Sequence, residues 1–305
     1  MKISVILPTY NRSNILDLTI RNILNQSYLE FELIIINDAS KDNTLNIIKK
    51  YLSKDTRIKL INNYKNLGCA KSREVGLAAA SSEYIVFIDD DDFWHENKLL
   101  KQINSINVSN ADISICDYYI ESLNHKTYKS MRAFAENFKK QILNNPGPFF
   151  QTIMIKKSLF EQINEPFDTK SIPSEDWNFF IELSKVNPKF TYVNEPLFTW
   201  KLHNNNQSSN IVNEAKALIN IVEKHYEYIL NEQGTSVVAN HYRRIARLYE
   251  KLNDIKNIKI HYLKAFKVNP INIKNIFYCL CVMIGYKKTI SLINFIRILR
   301  GVPNA

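Results

Sequence analysis

Short apolar runs and amphipathic stretches take turns along the first hundred residues. Residues 3–7, 33–36, 58–61 and 84–88 are nearly uninterrupted hydrophobic runs of strand length. Between them, 15–24, 44–52 and 70–80 repeat apolar side chains every three to four positions, which is helical spacing. Strand and helix in strict alternation predict βαβ units and a parallel sheet. A sheet of that kind gathers ligands at the carboxyl ends of its strands. Polar residues lie at those ends: Pro8-Thr9-Tyr10-Asn11 after the first strand, Asn37-Asp38-Ala39-Ser40 after the second, and Asp89-Asp90-Asp91-Asp92 after the fourth. Far apart in sequence, they should converge along one rim.

Residues 112–200 are more mixed, with strands expected at 113–116 and 149–155 and a helix over 177–185. From about residue 213 the pattern is helical only, which places a boundary near 204–210 and divides the chain into 1–210 and 211–305. Tyr242, Ala246, Tyr249, Ala265 and Pro270 are spaced loosely like one tetratricopeptide unit, but a single repeat cannot bury its own face, so an ordinary helical hairpin is expected.

Composition narrows the class. With 305 residues, 45% of them hydrophobic and 23% charged, the chain can build one large α/β domain and a smaller appendage. The hydrophobic run from residue 3 leads into Pro8, so no secretory signal is expected. The most apolar late stretch, 276–286, falls short of the roughly 20 residues that span a bilayer. Cys69, Cys116, Cys279 and Cys281 form no disulfide framework and suit a reducing cytoplasm. The net charge of +10 is unevenly placed. No acidic residue follows Asp254, while nine Lys and Arg do; without those nine, 31 basic residues face 30 acidic ones.

The four aspartates carry the strongest chemical signal. Adjacent carboxylates repel, and a divalent cation relieves them because hard cations take oxygen ligands and can hold a diphosphate as well. If the strand continues, Asp89 and Asp91 point one way and Asp90 the other. The alternative is an acidic turn with Asp92 capping a helix that begins near Trp94. Asp38 could likewise cap a helix starting near Asn43, or accept a hydrogen bond from a base or ribose. Glu175-Asp176 could begin a helix, where acids suit the N-terminal dipole.

Taken together, these residues resemble glycosyltransferase family 2, enzymes of the GT-A fold that include bacterial polysaccharide and lipopolysaccharide transferases. The matching segments are Ser4-Val5-Ile6-Leu7-Pro8-Thr9-Tyr10-Asn11, the strand ending in Asp38, Asn66-Leu67-Gly68, Ala70-Lys71-Ser72-Arg73, Gly76 and Phe87-Ile88 with the four aspartates and Trp94. Glu175-Asp176-Trp177 and Leu202-His203-Asn204-Asn205-Asn206 extend the match to about residue 210. The resemblance implies a GT-A domain over 1–210 with a basic helical region over 211–305. It further implies an inverting, metal-dependent hexosyltransferase that carries glucose, galactose or N-acetylhexosamine from a UDP-sugar to a lipid-linked, polyprenyl-diphosphate saccharide. Pro8, Thr9, Tyr10, Asn11 and Asp38 would line the nucleotide pocket, with Asp89 and Asp90 also on the nucleotide sugar; Lys71 and Arg73 could join them on phosphate or sit solvated on a helix face. Asp91, Asp89 and His203 would hold Mn²⁺ or Mg²⁺, and Asp176 would be the general base. Many relatives carry a second acid where this chain has Asn37. Trp94, Trp177 and Trp200 could flank the acceptor sugar, against the default of core packing.

Three other classes stay open on the sequence; one, a glycosidase with paired carboxylates, would not need a metal-like run of acids at a parallel strand end. Another nucleotide-binding enzyme is disfavoured because no G-x-G-x-x-G follows the first strand and the chain has six glycines in all. A non-enzymatic lipid- or nucleic-acid-binding module would rest on the basic tail. The tail instead reads as basic amphipathic helices lying on an anionic membrane, at the cytoplasmic face of the inner membrane, with nucleic acid not an expected partner; the alternative is a solvated basic face with the apolar face packed on the catalytic body.

Overall fold

Strand β1 (Ile3–Thr9) is enclosed on both faces, with Ile3, Val5, Ile6 and Leu7 shut off from solvent. That is why it reads as a continuous apolar run. The structure, a computed structural model, describes residues 2–122, 125–147, 149–202 and 210–286. They divide into two compact units, Met1–Asn206 and Gln207–Ala305.

In the first unit β1 is followed by α1 (Leu16–Leu24), β2 (Phe31–Asn37), α2 (Thr44–Leu52), β3 (Ile58–Asn62), α3 (Cys69–Ala79) and β4 (Tyr84–Phe87). β1 lies parallel between β2 and β4, and β3 is parallel to β2. The sheet therefore grows one way from β1 to β3 and the other way at β4. Beyond the carboxyl ends of β1 and β4 this reversal leaves the crevice where open α/β sheets bind ligands.

The chain continues as β5 (Phe93–Trp94), α4 (Lys98–Ser109), β6 (Ile113–Ser122), β7 (His125–Lys129), α5 (Arg132–Glu136), α6 (Phe138–Asn144), β8 (Ile153–Lys156), α7 (Glu175–Ser184) and β9 (Phe190–Lys201). Strand order is β3-β2-β1-β4-β8-β6-β9-β5, with β7 hydrogen-bonded to β6. β8 runs antiparallel to both β4 and β6, so the sheet is mixed, although its long ladders are parallel. The strand expected over 149–155 is shorter: Phe150–Thr152 is a 3₁₀ turn, and β8 starts after it. No helix begins at Trp94. That residue lies in β5, its N–H donating to Asn22 Oδ1 at 2.8 Å, and α4 starts at Lys98 with Asn97, not Asp92, before it. The 12-residue β9 escaped the sequence reading because Asn194, Glu195 and Pro196 interrupt its apolar pattern at a register shift against β6.

The second unit is helical: α8 (Ile211–Lys224), α9 (Tyr226–Gln233), α10 (Thr235–Lys251), α11 (Ile255–Val268) and α12 (Ile273–Ile284). Side chains of Asn210, Asp254 and Asn272 accept from Asn213, Asn257 and Lys274 N–H groups, capping three helix starts. Between α10 and α11, His261 stacks on Tyr249 with ring centroids 5.6 Å apart, and burial first, then Lys264, lowers its pKa to about 4.

Helix α3 approaches the sheet through Gly76. A Cβ there would lie 2.5 Å from Ile6 Cγ2 and 2.8 Å from Ile36 Cδ1. Ile6 is β-branched and enclosed, so it cannot swing aside. Gly76→Ala gains about 1 kcal/mol of helix propensity but overpacks at a cost of about 1–3 kcal/mol. The expected net result is a lower urea midpoint; a raised midpoint contradicts the close approach.

Candidate active site

Four carboxylates leave the end of β4 within one turn, and two arginines, one in a loop and one on a helix, pair with Asp89, Asp90 and Asp91. Arg73, buried on α3, donates from Nη2 to Asp89 Oδ1 and from Nη1 to Glu175 Oε1, each at 2.7 Å. Asp89 Oδ2 also accepts from Gln151 Nε2. Arg12, in the loop after β1, reaches Asp90 Oδ1 with Nε at 3.1 Å and Asp91 Oδ2 with an Nη at 3.5 Å. Asp91 thus sides with Asp90 and not with Asp89. The strand expected to hold the alternation ends at Phe87, and the chain turns so that Asp92 N–H donates to Asp89 C=O. Asp92 is buried; burial, then Asp89 and Asp91, hold its pKa well above the carboxylate range. Burial likewise pushes Asp90 up to about 7, with the Asp91 carboxylate adding to the push and the charge of Arg12 opposing it.

Glu175 and Asp176 open α7, where the helix dipole favours acids. Glu175 spends an oxygen on Arg73. Asp176 accepts from the Trp177 N–H at 2.7 Å, and its pKa is pushed to about 7, first by burial and then by the Glu175 carboxylate, with Asp89 adding to it. Asp176 retains partial exposure. Its position is set from below by a phenylalanine cluster: Phe150 packs on Phe87 at 5.1 Å and on Phe179 at 5.0 Å, and Phe179 on Phe160 at 5.2 Å. The cluster joins β4, the 150–152 turn and α7, the three pieces that carry Asp89, Gln151 and Asp176. On the other side Tyr118 is pushed up to about 12 by burial and by Asp176. Its ring meets Phe149 at 5.5 Å, and Phe149 meets Trp200 at 4.9 Å. Trp94 and Trp177 are enclosed, so of the three tryptophans only half-buried Trp200 can meet a ligand.

At the ends of β1 and β2, Pro8 and Thr9 are buried and Tyr10 is 40% exposed. Asn11 sits in the left-handed region at φ 53°, its N–H donating to Ser40 Oγ and its Oδ1 accepting from Lys41 N–H. Asp38 does not cap α2. Its oxygens accept from Asn63 Nδ2, Leu67 N–H and Gly68 N–H at 2.8–2.9 Å, so it holds the 63–68 loop and the start of α3. Lys71 is not brought to this rim by its contacts: it faces solvent and pairs with Glu74 at 2.6 Å. Arg73, expected on phosphate, has both amino groups on carboxylates. His203 lies outside the described residues.

No group of three or more His, Cys, Asp or Glu among the described residues converges on a point that could hold a metal. The described residues therefore do not form a closed protein cage for a cation; Mg²⁺ is more usually held through one or two carboxylates together with substrate phosphates. Asp89 has both oxygens engaged, which leaves half-buried Asp91, tied to Arg12 at 3.5 Å, as the better donor. Sequence reasoning passed over Arg12, Gln151 and Glu175. Glu175 stood beside a chosen residue, whereas nothing in the sequence pairs Arg12 or Gln151 with the aspartates.

A profile of the family described as Glycosyl transferase family 2 matches residues 4–164. Among curated proteins, the Escherichia coli UDP-Glc:alpha-D-GlcNAc-diphosphoundecaprenol beta-1,3-glucosyltransferase WfgD is 30% identical over 185 residues, covering 61% of this chain and 70% of its own. Among solved structures, S. aureus TarS 1-349 in complex with UDP-GlcNAc superposes with a TM-score of 0.68 at 19% identity, over 95% of this chain and 92% of its own. The mannosyltransferase PcManGT from Pyrobaculum calidifontis, in complex with GDP-Man and Mn²⁺, does so with a TM-score of 0.57 at 13% identity, over 92% and 84%. These likenesses show the expected GT-A fold.

Arg73→Met would leave Asp89 and Glu175 without their shared cation. Losing one partner of a buried pair costs about 3–5 kcal/mol, and the low end applies because the Asp89 side chain is 32% exposed. Guanidinium unfolding should show that loss, with Arg73→Lys recovering part of it. A Met variant as stable as the parent would mean the fork is slack.

Proposed function

The chain belongs to glycosyltransferase family 2, and from that premise we propose an inverting transfer of a hexose from a UDP-sugar to a lipid-linked saccharide. The hexose is glucose, galactose or N-acetylhexosamine. The acceptor is a polyprenyl-diphosphate saccharide in cell-surface polysaccharide assembly of the O-antigen or lipopolysaccharide type. The observation that carries this reading is Asp176: a partly exposed carboxylate near neutral pKa, linked through Glu175 and Arg73 to the aspartates after β4.

In this reading the acceptor oxygen attacks the anomeric carbon as the bond from that carbon to UDP breaks. The hydroxyl's proton passes to an Asp176 oxygen. A base poised near the working pH is well matched to that task. Glu175 and Arg73 keep Asp176 oriented, and the Arg73 charge offsets the neighbouring carboxylates. The turn from Pro8 to Asn11 takes the uridine, and Asp38 shapes that pocket while holding the 63–68 loop. Asp91, with Asp89 behind it and His203 as a further candidate, would hold Mn²⁺ or Mg²⁺. The cation would neutralise charge on the departing diphosphate. Asp90, buried against Arg12, supports the turn.

The catalytic work is assigned to 1–210. Residues 211–305 keep the chain peripherally at the cytoplasmic face of the inner membrane, against anionic lipid. WfgD, whose name specifies a diphosphoundecaprenol acceptor, supports that placement. Among the described residues no helix is long and apolar enough to cross a membrane.

The base assignment predicts a rate that rises with pH. A carboxyl with pKa near 7 is about one-tenth ionised at pH 6, so kcat/KM should fall about tenfold from its plateau there. Asp176→Asn should remove this limb and about 10²–10⁴-fold of turnover, while UDP binding by calorimetry stays within about twofold. Near-normal turnover in that variant refutes the assignment.

For the cation, UDP binding should tighten on adding Mn²⁺ and weaken in excess chelator. Asp91→Asn should abolish the difference. Metal-independent UDP affinity, or an unchanged metal response in Asp91→Asn, contradicts it.

A further inference from the structure

Helix α12 buries one side and leaves the other wholly apolar and open. Asn275, Cys279, Cys281 and Val282 face inward. Ile273, Ile276, Phe277, Leu280, Met283 and Ile284 face outward, with exposures from 38% at Ile276 to 80% at Ile273. At 100° per residue these six fall within an arc of about 120° that contains no polar position. Ile271, just before the helix, is 89% exposed. Soluble surfaces seldom tolerate a contiguous apolar stripe without a partner.

Charge identifies the partner. From residue 255 to residue 286 there are five lysines and no acid. Lys264 is paired with Glu223 at 2.8 Å, whereas Lys256, Lys259, Lys267 and Lys274 are exposed. A second copy laid on the same face would bring an equally basic set against this one. Residues 287–305 add four more basic residues and no acid, so they cannot neutralise it either. A surface combining negative charge with an apolar interior does match, and an anionic bilayer has both.

We propose that the outward face of α12 is a membrane-docking face, its six apolar side chains entering the headgroup–acyl boundary while Lys267 and Lys274 meet anionic headgroups. This deepens the reading of a lipid-linked acceptor, but the face itself is defined by exposure and charge, without reference to sugar chemistry.

The test is sedimentation of the full chain with vesicles of phosphatidylethanolamine and phosphatidylglycerol, against pure phosphatidylcholine vesicles, at low salt and without nucleotide sugar. With each engaged lysine favouring anionic lipid, binding to the anionic vesicles should be at least about tenfold stronger. Leu280→Glu with Ile284→Glu should reduce it to the neutral-vesicle level. Both positions are exposed, so the melting temperature should hold, and transfer to a soluble acceptor analogue should be unchanged. Equal binding to both vesicle types overturns the inference, as does undiminished binding by the folded double variant. A concentration-dependent dimer abolished by the same two substitutions also overturns it, since a second copy would then cover the face. Failure of transfer activity alone would count against the proposed reaction and leave the docking result standing.

Discussion

One guanidinium organises the catalytic unit. Arg73 places its two amino groups on carboxylates from segments far apart in sequence, Asp89 after β4 and Glu175 at the head of α7. Without that cation, Asp89, Asp90, Asp91 and Asp92 would crowd Glu175 and Asp176 in a poorly solvated crevice. Burial itself opposes the charge on Arg73, yet Cys69, Asp89 and Glu175 hold its pKa well above the ordinary value. The planar fork matters because a lysine offers one point charge where two separate carboxylates must be met at fixed angles.

The fork can act only because its support is stiff. Phe87, Phe150, Phe160, Phe167 and Phe179 interlock beneath it, and the Arg73 guanidinium lies 5.3 Å from the Phe150 ring centroid. The aromatic mass that fixes the geometry also packs beneath Asp176, whose carboxyl is raised toward neutrality by burial. Packing and acid–base tuning are thus one arrangement. A looser cluster would lower that pKa as well as blur positions.

The helical unit follows a different rule. Its mainly aliphatic interior also holds polar links: Arg243 meets Asn275, whose Nδ2 donates to the Ala265 and Asn269 carbonyls, and Tyr262 stacks on Tyr278 at 4.3 Å. Ile221, Ile245 and Ile258 are buried in the same unit, whereas α12 turns Ile276, Leu280, Met283 and Ile284 outward.

Much of this was legible in the chain itself. Continuous apolar runs separated by helical periods foretold β1–α1–β2–α2–β3–α3–β4, because strands covered on both faces admit few polar residues and amphipathic helices must cover them. The polar strand ends located the rim, and the order of short motifs carried the family. Strand β9 and the 3₁₀ turn that presents Gln151 were not legible, since each takes its shape from a partner strand or ring distant in sequence. Nor could the sequence tell that Asp38 holds the 63–68 loop, that Lys71 faces water, or that Arg73 binds Asp89 and Glu175. A residue's type sets what it can bind, but which donor meets which acceptor depends on distances that exist only after folding. The Asp176 pKa is likewise a tertiary property: the carboxyl is written in the sequence, while the burial and the neighbouring charge that move it to about 7 come from segments brought together in space.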